Sequence, residues 1–180
     1  MTILKRICVF CGSAKGNSEK YIQQAESVGK IITSRQWGLV YGGGRVGIMG
    51  TIANSVLNGG GEVIGVIPQS LVSAEVAHQQ VTKLHIVPDM HTRKKMMYDL
   101  SDAFLVLPGG MGTLDEMFEI LTWSQLGLHK KPIYILNEFG FYDHLLNYVR
   151  HSQNEGFVKP EHLRLINVIN KPEDVLNLKI

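Results

Sequence analysis

The stretch Leu107-Pro108-Gly109-Gly110-Met111-Gly112-Thr113-Leu114-Asp115-Glu116 joins residue types with opposite electrostatic preferences. Gly109 and Gly110 let backbone amides converge on a ligand with no side chain in the way. Gly112 and Thr113 are placed to begin a helix, whose free N–H groups and positive dipole end favour a phosphate. Thr113 adds a hydroxyl donor, and Met111 lies inside the same loop. No lysine follows in the order G-x-x-x-x-G-K-[ST], so this is not a Walker loop. Glu116 then stands about 6 Å along the helix axis from Gly112, at 1.5 Å per residue. Two readings of Glu116 are open. Thr113-Leu114-Asp115-Glu116 fits a capping box, in which the glutamate reaches back to its own helix start. Alternatively, the carboxylate lies near the far end of a sugar whose phosphate sits on the glycines. The predicted apolar stripe Leu114, Met117, Phe118 and Leu121 leaves Glu116 off to one side, with Ile120 and Trp123.

A second anomaly lies in DMHTRKKMMYDL, residues 89–100. Met90, Met97 and Leu100 form an inward helical stripe with Met96 at its edge, and Arg93 falls at its centre. Arginine is almost never buried without a partner, so Arg93 either pairs with an acid or reaches a ligand. Lys94 flanks it, and Lys95 points to solvent. A phosphate anchor, an inward arginine and a carboxylate beyond the phosphate suit cleavage at a sugar's anomeric carbon. That step develops positive charge on the ring, which a carboxylate stabilises while water attacks.

These residues need a scaffold that brings distant segments together. Short apolar runs alternate with amphipathic stretches. The strand candidates are Ile7–Cys11, Leu39–Tyr41, Val63–Ile67, Leu84–Val87, Phe104–Leu107, Ile133–Leu136 and Leu165–Ile169. The helix candidates are Ser18–Arg35, Val46–Leu57, Asp89–Leu100, Thr113–Leu126 and Tyr142–Gln153, with a short one at Glu173–Leu178. This pattern predicts an α/β fold: three layers, α/β/α, around a mostly parallel sheet. Strand, glycine turn and helix recur at Cys11-Gly12-Ser13, Tyr41-Gly42-Gly43-Gly44 and Leu107-Pro108-Gly109-Gly110. Ligands in open α/β sheets bind beyond the carboxyl ends of the strands, so the three turns are expected to share one pocket. Gly42-Gly43-Gly44-Arg45-Val46-Gly47 also fits G-x-G-x-x-G. A dinucleotide site wants an acid near the end of the following strand, and Glu62 falls at its beginning.

The chain of 180 residues fits one domain over 1–180, and its 44% apolar and 19% charged content is that of an ordinary globular protein. A net charge of +2 argues against nucleic acid or an acidic membrane as partner. No apolar stretch approaches the ~20 residues of a membrane span, and the N-terminus has no convincing secretory pattern, so a cytoplasmic location is expected. Cys8 and Cys11 form C-x-x-C inside a strand, where they point to opposite faces and read as buried core residues. The histidines are scattered and no H-E-x-x-H appears, so no metal is expected.

The run Pro108–Glu116 resembles the PGGxGTxxE motif of the LOG ("Lonely Guy") family, cytokinin riboside 5'-monophosphate phosphoribohydrolases. CVFCGS, LVYGGGRVGIMG, GVIPQSL and MHTRKKMM extend the resemblance along nearly the whole chain. It implies a Rossmann-like fold, a homodimer and no cofactor. It also implies hydrolysis of the N-glycosidic bond of AMP carrying an N6 substituent, and of AMP itself, to free base and ribose 5-phosphate. By the resemblance Arg93 and Glu116 are the catalytic pair. Gly110, Met111, Gly112 and Thr113 match the family's phosphate loop, which Gly109 extends on the reading of the glycines above, and Gly12, Ser13, Glu75, Lys94 and Thr122 are further substrate-binding positions. Thr122 lies off the Glu116 face, which suggests a place in the neighbouring subunit's pocket. Asp115 departs from the glutamate of many relatives. A lysine decarboxylase reading finds no lysine in a recognisable Schiff-base setting. The other open readings are a nucleotide-binding or signalling module without chemistry, and a dinucleotide enzyme.

Overall fold

All seven strand candidates form strands in the computed structural model, which describes residues 4–73 and 76–180. They are β1 (Arg6–Phe10), β2 (Gly38–Tyr41), β3 (Val63–Pro68), β4 (Lys83–Val87), β5 (Ala103–Val106), β6 (Ile133–Leu136) and β7 (Ile166–Ile169). They make one sheet in the order β4-β3-β2-β1-β5-β6-β7. Every pairing is parallel, so the sheet is wholly rather than mostly parallel. Every residue of β2, β3 and β5 is buried, as expected of strands covered on both faces, whereas the edge strands β4 and β7 are partly exposed.

The helices are α1 (Lys20–Ser34), α2 (Gly47–Asn58), α3 (Met90–Asp99), α4 (Met111–Gln125), α5 (Asp143–Asn154) and α6 (Pro160–Leu163). Alternation along the strands sorts the core into two layers. Ile7, Val9, Leu39 and Leu105 face α1, α2 and Val175 of the closing turn. Cys8, Phe10, Val40 and Phe104 face Met97 of α3, Met117 and Ile120 of α4, and Tyr142. Cys8 and Cys11 fall in opposite layers as buried cysteines, the outcome that the strand reading predicts. Each fully buried Leu, Ile or Phe of these layers contributes about 1.5–3 kcal/mol relative to exposure.

One expected element changes form, and one helix is unexpected. The closing segment is a 3₁₀ turn, Pro172–Asn177, too short and proline-led for an α-helix. The four-residue α6 is too short to carry a periodic pattern. α1 and α4 leave from the adjacent strands β1 and β5 onto opposite faces of the sheet. That reversal opens a crevice above the two carboxyl ends, the usual ligand position in such sheets.

Candidate active site

The three glycine turns meet at this crevice. Gly12 N–H donates to Pro108 O at 3.1 Å, and Met49 N–H donates to Gly12 O at 3.2 Å. Tyr142, just before α5, pins the end of β5 by donating its hydroxyl to Leu107 O at 2.7 Å. Between the first and third turns lies a cavity of about 260 Å³, lined among others by Gly12, Ser13, Gly109 and Gly110, with Tyr21 and Phe141 as aromatic walls.

α4 begins two residues earlier than the expected Thr113. Gly110, extended at φ −101° and ψ −151°, is its N-cap, and no side chain caps it. The first carbonyl engaged is Gly110 O, by Leu114 N–H at 3.1 Å. The amides of Met111, Gly112 and Thr113 therefore precede the helical ladder and have no intrahelical acceptor. Gly110, Met111 and Gly112 are exposed at this end, as an anion site requires. Thr113 is at the third helical position with its side chain buried beneath Gly109. A Cβ on Gly109 would lie 2.0 Å from Thr113 Oγ1 and 2.8 Å from Gly12 N. We expect Gly109→Ala to force these turns apart and raise the Kd for AMP about tenfold or more, measured by calorimetry.

The capping-box reading of Glu116 fails, because Thr113 is not the N-cap. The predicted stripe also needs correction. The buried face of α4 is Thr113, Glu116, Met117, Ile120 and Leu121, while Phe118 is exposed. Glu116 therefore lies on the inward face. Ile120 is buried in the core, whereas Trp123 is half-buried and packs edge-to-face on Tyr98 at 5.3 Å between ring centroids.

Arg93 is reached from the other side of this pocket. Asp89 caps α3 by accepting Thr92 N–H at 2.7 Å, and this bond holds the Asp89 carboxyl below its ordinary pKa. Arg93 follows one turn later, only 4% exposed, at the centre of the inward stripe as predicted. Its Nε–H donates to Val66 O at 3.1 Å and its Nη2 to Gly42 O at 2.8 Å, the carboxyl ends of β3 and β2. Nη1 lies 3.9 Å from Glu116 Oε1. Glu116 is 8% exposed. A buried carboxylate is tolerated when an opposite charge and hydrogen bonds accompany it, and Arg93 supplies the charge.

The other predicted site residues divide. Gly12 and Ser13 line the crevice. Lys94 is tied across to α4, with Asp115 Oδ2 at 3.0 Å and Glu119 in contact. Burial lowers the pKa of this amine, and the Glu119 and Asp115 carboxylates outweigh it, so the net shift is upward. Lys94 thus fastens the helix of Arg93 to the helix of Glu116. Lys95 pairs with Asp99 on the surface, as expected. Thr122 lies in an exposed groove with Phe118, Tyr148 and Phe157, away from the crevice. Glu75 lies outside the described residues. Glu62 pairs with Arg6 at 2.7 Å at the amino end of the sheet, so it is not placed for a ribose. The Val66 carbonyl, Tyr21, Phe141 and Tyr142 carried no sequence signal, because backbone acceptors and single aromatics form no pattern.

Residues 49–178 match the family model described as possible lysine decarboxylase. Over 157 residues the chain is 52% identical to the cytokinin riboside 5'-monophosphate phosphoribohydrolase of Rhodococcoides fascians, covering 87% of this chain and 79% of that one. It is 49% identical to the enzyme LOG1 of Arabidopsis thaliana, covering 87% and 73% of the two chains. The chain belongs to the LOG family. The fold is shared more widely than this family. The molybdenum cofactor carrier protein of Chlamydomonas reinhardtii aligns with a TM-score of 0.73 at 20% identity, over 97% of this chain and 94% of that one. The molybdenum cofactor binding protein of Rippkaea orientalis gives 0.72 at 20% identity, over 98% and 96%. At that identity the likeness extends to the fold alone.

Proposed function

We propose that this LOG-family chain hydrolyses the N-glycosidic bond of nucleoside 5'-monophosphates, N6-substituted AMP above all and AMP as well. The observation that carries the reading is the Glu116 carboxylate, turned inward against Arg93 one helical turn below open amides. The 5'-phosphate binds the amides of Met111, Gly112 and Thr113, where the helix dipole adds to the hydrogen bonds. The ribose then runs along α4 toward Glu116. As C1'–N9 breaks, its electron pair leaves with the base and positive charge grows on the ring. Glu116 stabilises that charge and positions a water. The water oxygen bonds to C1'; one proton remains as the anomeric hydroxyl and the other ends on the base. Arg93 sets its positive charge against Glu116 and holds the carboxylate in place. Its Nε–H and one N–H of Nη2 are held by Val66 O and Gly42 O, which fixes the guanidinium beneath the turns and favours this role over contact with the leaving base.

The family model's decarboxylase description finds less support. Lys131 has its amine pKa lowered, first by burial, but it precedes β6 at the amino edge of the sheet, away from the crevice. A cytoplasmic location accords with two buried cysteines that form no disulfide. Among the described residues, no helix is long and apolar enough to cross a membrane.

The test is incubation with AMP and with N6-isopentenyl-AMP, following free base and ribose 5-phosphate by chromatography. Release of both products is expected. Tight binding of AMP without release would instead favour a nucleotide-binding module.

We also propose a homodimer through the α4–α5 groove, which seats a second copy of this chain. Phe118, Tyr148 and Phe157 are exposed there at 37%, 63% and 87%, and Thr122 lies among them. Large exposed rings grouped in this way mark interaction surfaces. Sedimentation should give the mass of two chains for the wild type and of one for Phe157→Glu. A monomeric wild type would remove Thr122 from the site.

A further inference from the structure

We propose that His78 is a positioning residue that holds Arg93 in place through the Gly42–Arg45 turn. The inference rests on the role given to Arg93 above. His78 is wholly buried on the segment between β3 and β4, and its ring is held by Asn54 and Gln80. Its Nε2 faces Asn54 Oδ1 of α2 at 3.0 Å, and its Nδ1 faces Gln80 N–H at 3.3 Å. A backbone N–H can only donate, so Nδ1 accepts and Nε2–H donates to Asn54. The ring is thus a neutral imidazole in one tautomer. Burial, and then the charge of Arg45, keep its pKa below the ordinary histidine value.

The backbone around His78 grips the second glycine turn. His78 N–H donates to Gly43 O at 2.9 Å, Ala77 bridges Gly44 in antiparallel fashion, and Arg45 N–H donates to Val76 O at 2.9 Å. Val76 sits at φ +48°, a left-handed conformation that a β-branched residue keeps only where its surroundings impose it. The His78 side chain supplies such a constraint by anchoring the strap to α2, the helix that leaves the same turn. The peptide next to Gly43 belongs to Gly42, whose carbonyl accepts from Arg93 Nη2 at 2.8 Å. A Cβ on Gly42 would lie 2.1 Å from that nitrogen, so turn and guanidinium are in close contact. Movement of the turn therefore moves Arg93, and with it the charge facing Glu116.

Three variants test this. His78→Ala should lower kcat for AMP about tenfold or more with KM changed by less than about twofold, since the phosphate amides lie on α4. His78→Gln, whose amide reaches toward Asn54 as Nε2 does, should recover most of that loss. Asn54→Ala, an exposed change, should reproduce part of it and add little to His78→Ala. Equal loss in the Gln and Ala variants, simple additivity with Asn54→Ala, or unchanged kcat in His78→Ala would overturn the proposal. The Arg93 Nε–H resonance, assigned by its disappearance in Arg93→Lys, gives a readout independent of turnover. Its hydrogen exchange should quicken in His78→Ala. Wild-type exchange there would overturn the positioning role even if the protein hydrolysed nothing, and quickened exchange in an inactive protein would overturn the hydrolase reading alone.

Discussion

Glu116→Gln should hydrolyse N6-isopentenyl-AMP about 100-fold or more slowly than the wild type while binding AMP with a Kd changed by less than about threefold. The first figure takes the ordinary range for loss of a positioned acid–base group. The second follows from where the affinity resides. On the proposed reading the phosphate meets the amides of residues 111–113, which precede the helical ladder, and the substitution leaves the start of α4 untouched. Glutamine has the size of glutamate but no charge, so it neither stabilises a ribosyl cation nor activates water. Because Glu116 is not a cap, helix α4 should lose little by the change. Single-turnover rates and calorimetry on one preparation check both halves. Unimpaired turnover would mean that the carboxylate is only the ion-pair partner of Arg93.

Arg93→Met should be the most damaging substitution for stability and activity together. It deletes the donors to Gly42 O and Val66 O and leaves Glu116 buried beside an apolar chain. Breaking a buried pair by removing one partner costs about 3–5 kcal/mol. At about 2–4 °C per kcal/mol for a chain of this size, Tm should fall by roughly 6–20 °C. A carboxylate buried without an opposite charge favours its neutral form, so turnover should fall by about 100-fold or more even in the fraction that stays folded. The double variant Arg93→Met/Glu116→Gln separates the two effects. It removes the uncompensated charge and should regain part of the lost Tm, while activity stays at the level of the single variants. Melting curves and initial rates read both. A double variant less stable than Arg93→Met would contradict the pairing.

The reading of the sequence succeeded where the physics is local or periodic. Apolar runs of three to five residues placed every strand within a residue or two, because a strand buried on both faces, as most of these are, has little freedom in composition. Arg93 was visible because a charge inside the stripe of Met90, Met97 and Leu100 breaks a helical period. Glu116 was harder. Its four-letter context fits a capping box, and the choice depends on which residue ends the preceding extended segment. That is set by the contact of Gly109 with Thr113 and Gly12, between residues about a hundred positions apart. The buried face of α4 was misjudged for a related reason. Phe118 looks like core by type, but Glu116 is drawn inward by Arg93, and α4 rotates to present Thr113, Glu116 and Ile120. The acceptors Val66 O and Gly42 O were beyond sequence reasoning, since a carbonyl has no letter of its own.

The central claim is a matter of distance: one helix holds the phosphate at its start and faces the anomeric carbon one turn later. A crystal structure with ribose 5-phosphate bound tests it most directly. The phosphate should rest on the amides of Met111, Gly112 and Thr113, with C1' within about 3.5 Å of the Glu116 carboxylate, the separation of a near-attack arrangement. A phosphate bound elsewhere in the crevice, or a C1' more than about twice that distance from Glu116, would contradict it.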